Sequence, residues 1–371
     1  MKIGIDAKWY FEGPPSGTRV VRSLVDHLLA VDDHNEYVIF LNRSHRKRRF
    51  PSNEKSNFSL CYVWAGNNLL SNLFILPFYS ATLKIEALLY QNFISPFDKA
   101  KKIAYIHDVL FLSNPEYYTV YERLYFAPLK WLTRFSNALI TVSEEEKKRL
   151  LHFNFCLNEK KITVVYHGVD SSFKPAENFE YATKVELRQK YRLPERFLLF
   201  VGRLNVRKNV DNLLVAISLL KDQSISLVIV GGVDWRKSNH NITIEKLGIS
   251  DRVIFTGPVY KDLGIIYSMA TVFCFPSLAE SFGLPPLEAM ASGVPVVVSN
   301  TTSLPEICGD AGTYIDPTNP GSIATGIDEL LADEQLCLRK RELGLIQAEK
   351  FNWYKAARVT IACIESLKIK K

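Results

Sequence analysis

One stretch, residues 275–300, most constrains how this chain can fold. It reads FPSLAESFGLPPLEAMASGVPVVVSN. Pro285 and Pro286 suit the first turn of a helix, and Gly293 suits the end of that helix. Val294 to Val298 is a short, β-branched run that is typical of a buried strand. The pattern therefore predicts a loop and a helix N-terminus between two strands, where backbone N–H groups and the helix dipole favour an anion.

Two carboxylates lie in this stretch. Glu280 falls in the loop, and Glu288 follows eight residues later, about one turn inside the predicted helix. Two carboxylates would repel a bare phosphate, but they suit a phosphate that carries a polyol. The stretch therefore favours a sugar nucleotide as ligand. The alternative is structural, with Glu288 stabilising the helix N-terminus and Glu280 exposed in the loop.

The same stretch resembles the E-x7-E signature of retaining glycosyltransferases of family four, which have the GT-B architecture. The resemblance implies that Glu280 contacts hydroxyls of the transferred sugar and that Glu288 contacts the nucleotide ribose. It also implies that Phe282, Gly283 and Leu284 offer backbone amides to the sugar and the diphosphate.

A second strand–loop–helix pattern, FLLFVGRLNVRKNVDNLLVAI, begins at residue 197. Arg203 and Lys208 lie in its loop, beside the expected helix N-terminus, and two cations with free amides suit a diphosphate. The G-R-x-x-x-x-K-N arrangement resembles the diphosphate clamp of the same family. Arg207 is expected to face solvent. The alternative is that the whole loop is solvated.

Further contacts to the nucleotide are expected at two strand ends. The apolar run from Ser226 ends in paired glycines, and Gly232 suits close approach of ribose or phosphate. Val259 is expected to present its backbone to the base. The family often has Asp two residues after this valine, whereas Lys261 stands there in this chain and Asp262 follows, which leaves the choice of base open.

The first half also begins with a strand, a glycine-containing loop and a helical pattern from Thr18 to Val31. The family has a glycine-rich loop here, and Gly17 is the glycine that the resemblance carries over. His107 follows the apolar run from Ile103 to Ile106, within an H-D-x-x-F-L-x-x-P-E-Y-Y string that resembles the family closely. The resemblance implies that His107 lies beside the donor sugar. The alternative is a structural histidine.

The resemblance runs along nearly the whole chain. It implies an α/β protein of the GT-B type, with two Rossmann-like domains facing across a cleft. We expect residues 1–175 to bind the acceptor and residues 176–350 to bind the nucleotide sugar. Residues 351–371 are expected to form a helix that crosses back onto the first domain.

Composition and charge bear on the cellular location of the protein and on its contact with membranes. Residues 1–175 carry 23 Lys and Arg against 17 Asp and Glu, so most of the net charge of +7 lies in the first half. The basic cluster at 45–49 and the apolar region 69–97 predict peripheral contact with anionic lipid, with a solvated loop as the alternative. No stretch of about 18 apolar residues and no signal peptide is recognisable, and the six cysteines are scattered. These features predict a cytoplasmic protein, attached at most to the inner face of the membrane.

The sequence thus predicts a retaining hexosyltransferase of surface polysaccharide synthesis. A mannose-like sugar would pass from a nucleoside diphosphate, GDP before UDP, to a glycan or polyprenyl-linked glycan. His107, Glu280, Arg203 and Lys208 are the expected catalytic residues. No cofactor and no metal are expected, because the chain lacks a D-x-D dipeptide and the two cations can meet the diphosphate charge.

Three alternatives stay open. They are a transferase that uses a UDP-sugar of the GlcNAc, Glc or Gal type, a sugar-nucleotide 2-epimerase of the same fold, and a non-catalytic partner subunit. A nucleic-acid-binding protein is not expected, since the chain has no RNP string, no metal-finger spacing and no basic helix interleaved with aromatic residues.

Overall fold

The computed structural model describes residues 1–51, 57–232 and 240–368, and the chain forms two compact units. The first unit holds the chain up to Gly168 together with the segment from Asn352 onward, and the second unit holds residues 169–351. Residues 169–175, which the sequence assigns to the first domain, therefore group with the second unit. Packing explains this, because the ring of Phe173 lies 5.5 Å from that of Tyr267.

The first unit is built on a parallel sheet. Across its described residues, seven strands are ordered β3-β2-β1-β4-β5-β6-β7. Their bounds are β1 (Lys2–Asp6), β2 (Glu36–Asn42), β3 (Phe58–Val63), β4 (Ala87–Gln91), β5 (Lys101–Ile106), β6 (Ala138–Thr141) and β7 (Ile162–Val164). The inner strands are nearly continuous apolar runs, as expected where helices cover both faces of a sheet.

Helices connect these strands. They are α1 (Pro15–Val31), α2 (Asn68–Leu70), α3 (Leu76–Thr82), α4 (Leu110–Ser113), α5 (Val120–Phe126), α6 (Pro128–Thr133) and α7 (Glu144–His152). The sequence predicts one helix from Val120 to Phe135, but the structure has two, because Pro128 offers no N–H to continue the first. Ser143 followed three residues later by Glu146 is a sequence pattern that predicts a helix cap, and in the structure the Ser143 side chain accepts the N–H of Glu146 at the start of α7.

The second unit is also built on a parallel sheet. Its described residues contribute six strands in the order β10-β9-β8-β11-β12-β13. Their bounds are β8 (Phe197–Val201), β9 (Ser226–Val230), β10 (Val253–Gly257), β11 (Val272–Phe275), β12 (Val296–Ser299) and β13 (Gly312–Ile315). The strand order reverses between β8 and β11. Loops that leave the carboxyl ends of such neighbouring strands diverge and open a ligand-binding crevice.

The helices of the second unit follow the same alternation. They are α8 (Tyr181–Tyr191), α9 (Val210–Leu219), α10 (His240–Lys246), α11 (Leu263–Ser268), α12 (Leu284–Ala291), α13 (Leu304–Cys308), α14 (Pro320–Ala332) and α15 (Glu334–Glu349). The last helix, α16 (Trp353–Glu365), packs against α1 within the first unit. Gly168 permits this packing, because a Cβ there would lie 2.3 Å from the Trp353 nitrogen. Within the described ranges, no helix combines the length and apolarity needed to cross a bilayer.

Candidate functional site

The loops after β8 and β11 bring a carboxylate and two cations together. Lys208 Nζ lies 2.6 Å from Glu280 Oε1, and Arg207 Nη1 lies 3.0 Å from Glu280 Oε2. Ser277 donates its hydroxyl to the same Oε1 at 2.5 Å. The prediction that Arg207 faces solvent is wrong. Its guanidinium turns inward because the 3₁₀ turn Val206–Lys208 places it beside the Ala279 carbonyl and the Glu280 carboxylate.

Burial sets the charge states of this cluster. Burial alone would raise the pKa of Glu280, but Arg207 and Lys208 outweigh it and hold the pKa at about 2. Burial lowers the pKa of Lys208 to about 8, although Glu280 opposes the shift. Glu280 is therefore an anion at neutral pH, and a carboxylate of such low basicity is a weak nucleophile.

Side chains from neighbouring loops hold Glu280 in place. The Glu280 N–H donates to the Thr302 hydroxyl at 3.0 Å, and the Ser303 hydroxyl donates to the Glu280 carbonyl at 3.1 Å. Thr302 has φ of 55°, a left-handed conformation that is uncommon for a β-branched residue. Asn209, also left-handed, donates to the carbonyl of Pro276 at 3.0 Å and so ties the two loops together.

The N-terminus of α12 follows Glu280 directly. Gly283 precedes the helix at φ of 115°, where a Cβ would lie 2.8 Å from Leu304 Cδ2, so glycine is needed there. Pro285 and Pro286 remove two of the N–H groups that a helix start leaves unpaired. The amides of Gly283 and Leu284 remain, and among the described residues they have no acceptor. These two amides can therefore bind an anion.

The other predicted residues of the second unit lie around this cluster in different ways. Glu288 is buried one turn inside α12, whereas the Arg203 side chain is exposed and makes no polar contact with the residues that the structure describes. A Cβ on Gly232 would meet open space, so Gly232 leaves room there. Val259 is buried after β10. Lys190 and Tyr191 bind Asp262 through its Oδ2, at 2.7 and 2.8 Å, so this carboxylate serves contacts within the second unit.

The predicted histidine of the first unit ends β5 within a group of aromatic rings. His107 Nε2 faces Gln91 Oε1 at 2.8 Å, and its ring lies 4.9 Å from that of Tyr105 and 6.3 Å from that of Trp9. Burial lowers the pKa of His107 to about 4, although Asp6 opposes the shift. The ring is therefore neutral at pH 7. The contact to Gln91 favours the tautomer with the proton on Nε2, which leaves Nδ1 to accept a hydrogen bond.

Gly17 lies in the first turn of α1 rather than in an open loop. A Cβ on Gly17 would lie 3.3 Å from Trp9 Cε3, and one on Gly13 would lie 2.8 Å from Trp9 Cγ. Both glycines therefore make room for the Trp9 indole. Trp9 was not among the predicted site residues, although an aromatic residue soon after the first strand and before a glycine-containing loop is a usable signal.

The structure thus joins Lys208 and Glu280 in one cluster, with Phe282 and Gly283 on the loop that carries Glu280 and Leu284 at the start of α12. Three contributors were missed, namely Arg207, Ser277 and Thr302. The excess of basic residues in 203–208 over one nearby carboxylate was the available signal for Arg207. Within the described ranges, no group of three or more His, Cys, Asp and Glu side chains could hold a metal ion.

Comparisons with known proteins match most of this chain to two family models. Residues 183–344 match the family model "Glycosyl transferases group 1", and residues 17–173 match "Glycosyltransferase Family 4". An O-antigen chain mannosyltransferase B from Escherichia coli is 31% identical over 278 residues, 73% of this chain and 71% of that protein. The serotype-specific mannosyltransferase WbdA from Escherichia coli is 29% identical over 270 residues, 70% of this chain but 33% of its own length.

The fold matches solved structures along its whole length. The Anabaena protein Alr3699/HepE, solved in complex with UDP and glucose, superposes with a TM-score of 0.74. The match covers 99% of this chain and all of the Anabaena chain, at 18% identity.

Proposed function

This chain belongs to family 4 of the glycosyltransferases, in the group 1 class, and we propose that it transfers a mannose-like hexose with retention of configuration. The donor is a nucleoside diphosphate sugar. The acceptor is a hydroxyl of a glycan or polyprenyl-linked glycan in surface polysaccharide synthesis. The observation that carries the proposal is the buried Glu280 carboxylate between Arg207 and Lys208, beside the N-terminus of α12.

The charges of this cluster suit a diphosphate that carries a sugar. Arg203, Arg207 and Lys208 contribute three positive charges, and Glu280 contributes one negative charge, which leaves a surplus of two. The amides of Gly283 and Leu284 add the positive end of a helix dipole. A diphosphate can exchange places with Glu280 on these cations, and the carboxylate then becomes an acceptor for sugar hydroxyls.

The reaction needs no protein nucleophile. The acceptor oxygen bonds to the anomeric carbon as the bond from that carbon to the diphosphate oxygen breaks, and a diphosphate oxygen takes the proton of the acceptor hydroxyl. Both oxygens of Glu280 already accept contacts from Lys208, Ser277 and Arg207, and its pKa of about 2 makes it a poor nucleophile. Arg203 and Lys208 stabilise the charge that develops on the departing phosphate.

The cations also support a reaction without a metal ion, since they supply the counter-charge that a divalent ion would otherwise give. His107 and Gly17 belong to the first unit, and the proposal assigns His107 to a hydroxyl of the donor sugar. Neutral His107 can accept a hydrogen bond from that hydroxyl through Nδ1.

GDP is the first choice of nucleotide, and UDP is the second. The mannosyltransferase relatives favour a mannose-like donor, and the Anabaena structure with UDP and glucose keeps the second choice open. Tyr260 is 71% exposed beside buried Val259, so its ring is free to cover either base.

The test is transfer itself. The enzyme is incubated with EDTA, a lipid-linked glycan acceptor and either GDP-mannose or UDP-glucose, and the new anomeric configuration is read by NMR. We expect an α-linked mannose from GDP-mannose. Failure to bind any nucleoside diphosphate, or an inverted product, would contradict the proposal. Epimerisation of the donor without transfer would establish the epimerase alternative instead.

A cytoplasmic location with peripheral membrane contact completes the proposal. Phe74, Phe78 and Phe97 are more than half exposed, and the rings of Phe74 and Phe97 stack at 5.9 Å. Lys84 and Lys99 are exposed beside them in the chain. Exposed aromatic rings flanked by cations fit the headgroup region of an anionic bilayer. We call Phe74, Phe78 and Phe97 the aromatic patch.

The basic cluster contributes less than the sequence suggests. His45 is buried, and Arg48 donates to the Phe11 carbonyl at 3.2 Å and pairs with Glu12 at 3.1 Å. These two residues therefore serve the first unit itself, and the exposed members that remain for lipid are Arg46, Lys47 and Arg49.

A further inference from the structure

Four buried polar residues form a closed network of hydrogen bonds beside His107. They are Asp6, Lys8, Asn72 and Gln91, and each is at most 2% exposed. Lys8 Nζ lies 2.6 Å from Asp6 Oδ1 and 2.5 Å from Asn72 Oδ1. Gln91 closes the network, because its N–H donates to Asp6 Oδ2 at 3.3 Å and its carbonyl accepts from Asn72 Nδ2 at 3.3 Å. We call these four residues the buried polar network.

The network completes the hydrogen bonding of a strand end. The ladder that joins β4 to β1 ends at Leu89, so the backbone of Gln91 lies beyond it. Buried backbone N–H and C=O groups need partners, and the side chains of Asp6 and Asn72 provide them here. The Asn72 amide also donates to the Phe93 carbonyl at 2.7 Å. Asn72 therefore binds both carbonyls that flank the centre of the turn 91–93.

The same turn holds His107 in two places. Asn92, at its centre, is left-handed with φ of 62°, and its N–H donates to the Tyr105 carbonyl at 2.9 Å. Asn92 Oδ1 accepts the N–H of His107 at 3.4 Å, and Gln91 Oε1 faces His107 Nε2 at 2.8 Å. The direction of the imidazole and its tautomer therefore depend on the geometry of this turn.

Stability alone does not explain the two charged members of the network. Burial of the Lys8 ammonium and the Asp6 carboxylate costs desolvation free energy, and apolar residues of similar volume often leave a protein equally stable or more so. The charged pair adds direction instead. Lys8 faces the Asn72 Oδ1, so the amino group of that amide has to face the carbonyls of Gln91 and Phe93.

We propose that Lys8 and Asn72 are positioning residues for the transfer. Lys8 fixes the orientation of the Asn72 amide, Asn72 fixes the turn 91–93, and this turn fixes the tautomer and the direction of the His107 imidazole. The inference rests on the proposed function, in which His107 Nδ1 accepts a hydrogen bond from a hydroxyl of the donor sugar. Both residues act through His107 and not by contact with the substrate.

The test removes the charged pair without leaving one charge buried alone. In the double variant Asp6→Asn with Lys8→Met, an acceptor remains at the first position, whereas the Asn72 amide loses the donor that orients it. Lys8→Arg is the conservative variant, because its guanidinium can donate to both neighbours. The matched control is Lys2→Met with Glu36→Gln, which removes an ion pair of 2.9 Å at the opposite end of β1.

A second variant tests the same step with the charged pair in place. Asn72→Ser removes the amide that binds the carbonyls of Gln91 and Phe93, so the proposal can be tested even if the double variant does not fold. Melting temperatures show which variants are folded.

The first measurement is the His107 tautomer in the unliganded protein, by nitrogen-15 NMR with labelled histidine. The chain has seven histidines, and the signals that His107→Gln removes identify this one. Wild type, Lys8→Arg and the control should carry the proton on Nε2 alone. The double variant and Asn72→Ser should show a mixture of both tautomers, because the turn no longer holds the ring. A single tautomer in these variants, when folded, would overturn the positioning role.

The second measurement is the rate of transfer. The double variant and Asn72→Ser should lower kcat about 2- to 12-fold, the range for the loss of one hydrogen bond, with GDP affinity unchanged. Lys8→Arg and the control should keep the wild-type kcat. Full kcat in a variant with mixed tautomers, or an equal loss of GDP affinity, would overturn the role in transfer. If the wild type transfers no sugar, the proposed function fails, and the tautomer measurement still decides whether the network orients His107.

Discussion

Glu280 and Lys208 form a buried ion pair, in which Oε1 lies 2.6 Å from Nζ and each residue is less than one-tenth exposed. Arg207 joins them from the same loop as Lys208. In the unliganded protein this pairing keeps the carboxylate and the cations satisfied without solvent. Under the proposed function, a diphosphate has to compete with Glu280 for the cations, so donor binding and release of Glu280 toward the sugar are coupled.

The coupling predicts opposite effects on binding and turnover in Glu280→Gln. GDP should bind more tightly, because Arg207 and Lys208 lose a charged competitor. Turnover should fall about 10- to 150-fold, because a hydrogen bond to a charged group contributes roughly 1.5–3 kcal/mol. Calorimetry with GDP and single-turnover rates with GDP-mannose measure the two effects. Equal turnover per folded molecule in wild type and variant would contradict a catalytic role of Glu280.

Glu288→Ala is the contrasting variant. If Glu288 binds the ribose, plain GDP should bind more weakly by about 1.5–3 kcal/mol, without the gain expected for Glu280→Gln. A purely structural role predicts a lower melting temperature with unchanged GDP affinity. Measurement of GDP affinity and melting temperature on both glutamate variants therefore distinguishes the ribose contact from helix stabilisation.

Lys208 predicts a pH dependence of nucleotide affinity. Its pKa is lowered to about 8 by burial, so the ammonium is present below pH 8 and is lost as the pH rises above it. GDP binds the charged form, and its affinity should therefore weaken as the pH rises through and above 8. Lys208→Arg keeps its charge at every pH in this range and should remove that step, even if it binds GDP less well. The same step in Lys208→Arg would assign it to another group.

Most of the elements that carry this site were readable from local sequence. The β-branched run before Asn300, the proline pair before Glu288 and the Ser143 cap each act through their own backbone, so pattern and structure agree within a few residues. The helix predicted from Val120 to Phe135 failed for a local reason as well, since Pro128 divides it.

Contacts between loops could not be predicted from the sequence. Arg207 turns inward because β11 brings Ala279 and Glu280 beside it, about 70 residues along the chain. Gly17 belongs to helix α1 and packs on Trp9, although the sequence pattern placed it in a glycine-containing loop before a helix that begins at Thr18. Spacing along the chain does not encode which neighbouring strand a loop will meet, so these contacts need the strand order of the folded sheet.

His107 should act as a neutral group. Its pKa is lowered to about 4 by burial, so the imidazole is uncharged throughout pH 5.5–8, and the profile of kcat/KM should show no inflection near 6.5 from this residue. The His107 ring proton shifts should stay constant over that range in NMR. Gln91→Leu removes the acceptor of Nε2 and should lower kcat without a change in GDP affinity. A His107 titration near 6.5 would contradict the neutral role.

The aromatic patch predicts binding to anionic vesicles. In vesicle flotation, the wild type should bind anionic vesicles, and the bound fraction should fall as the salt concentration rises. Salt weakens the electrostatic attraction between the lysines and the lipid, which is screened over about 8–10 Å at physiological salt. Phe74→Ser with Phe78→Ser should lower recruitment to anionic vesicles with little loss of stability, because both side chains are more than half exposed. Leu338→Ser, at a half-exposed leucine of α15, is the matched control. Equal recruitment of the double variant would assign no membrane role to the patch.

Variants of Thr302 can separate two roles of this residue, the strain in its backbone and the positioning of Glu280 by its hydroxyl. Its left-handed φ of 55° costs of order 1–3 kcal/mol for a residue other than glycine, and its hydroxyl accepts the N–H of Glu280 at 3.0 Å. Thr302→Gly should relieve the strain but leave that N–H without its acceptor, so the protein should be as stable as the wild type, or more so, while kcat falls. Thr302→Ser keeps the hydroxyl without the branched carbon, so both stability and kcat should be preserved.

The comparison of these two variants shows whether Thr302 is needed to position Glu280 or is only a turn residue. If the Thr302 hydroxyl orients the loop that carries Glu280, only Thr302→Gly should lose turnover, and GDP affinity should change little because Lys208 and Arg207 remain in place. If Thr302 is merely a turn residue, glycine should be the better residue in both respects, because glycine adopts this conformation without cost. Full kcat in a stabilised Thr302→Gly protein would therefore show that the hydroxyl plays no part in positioning Glu280.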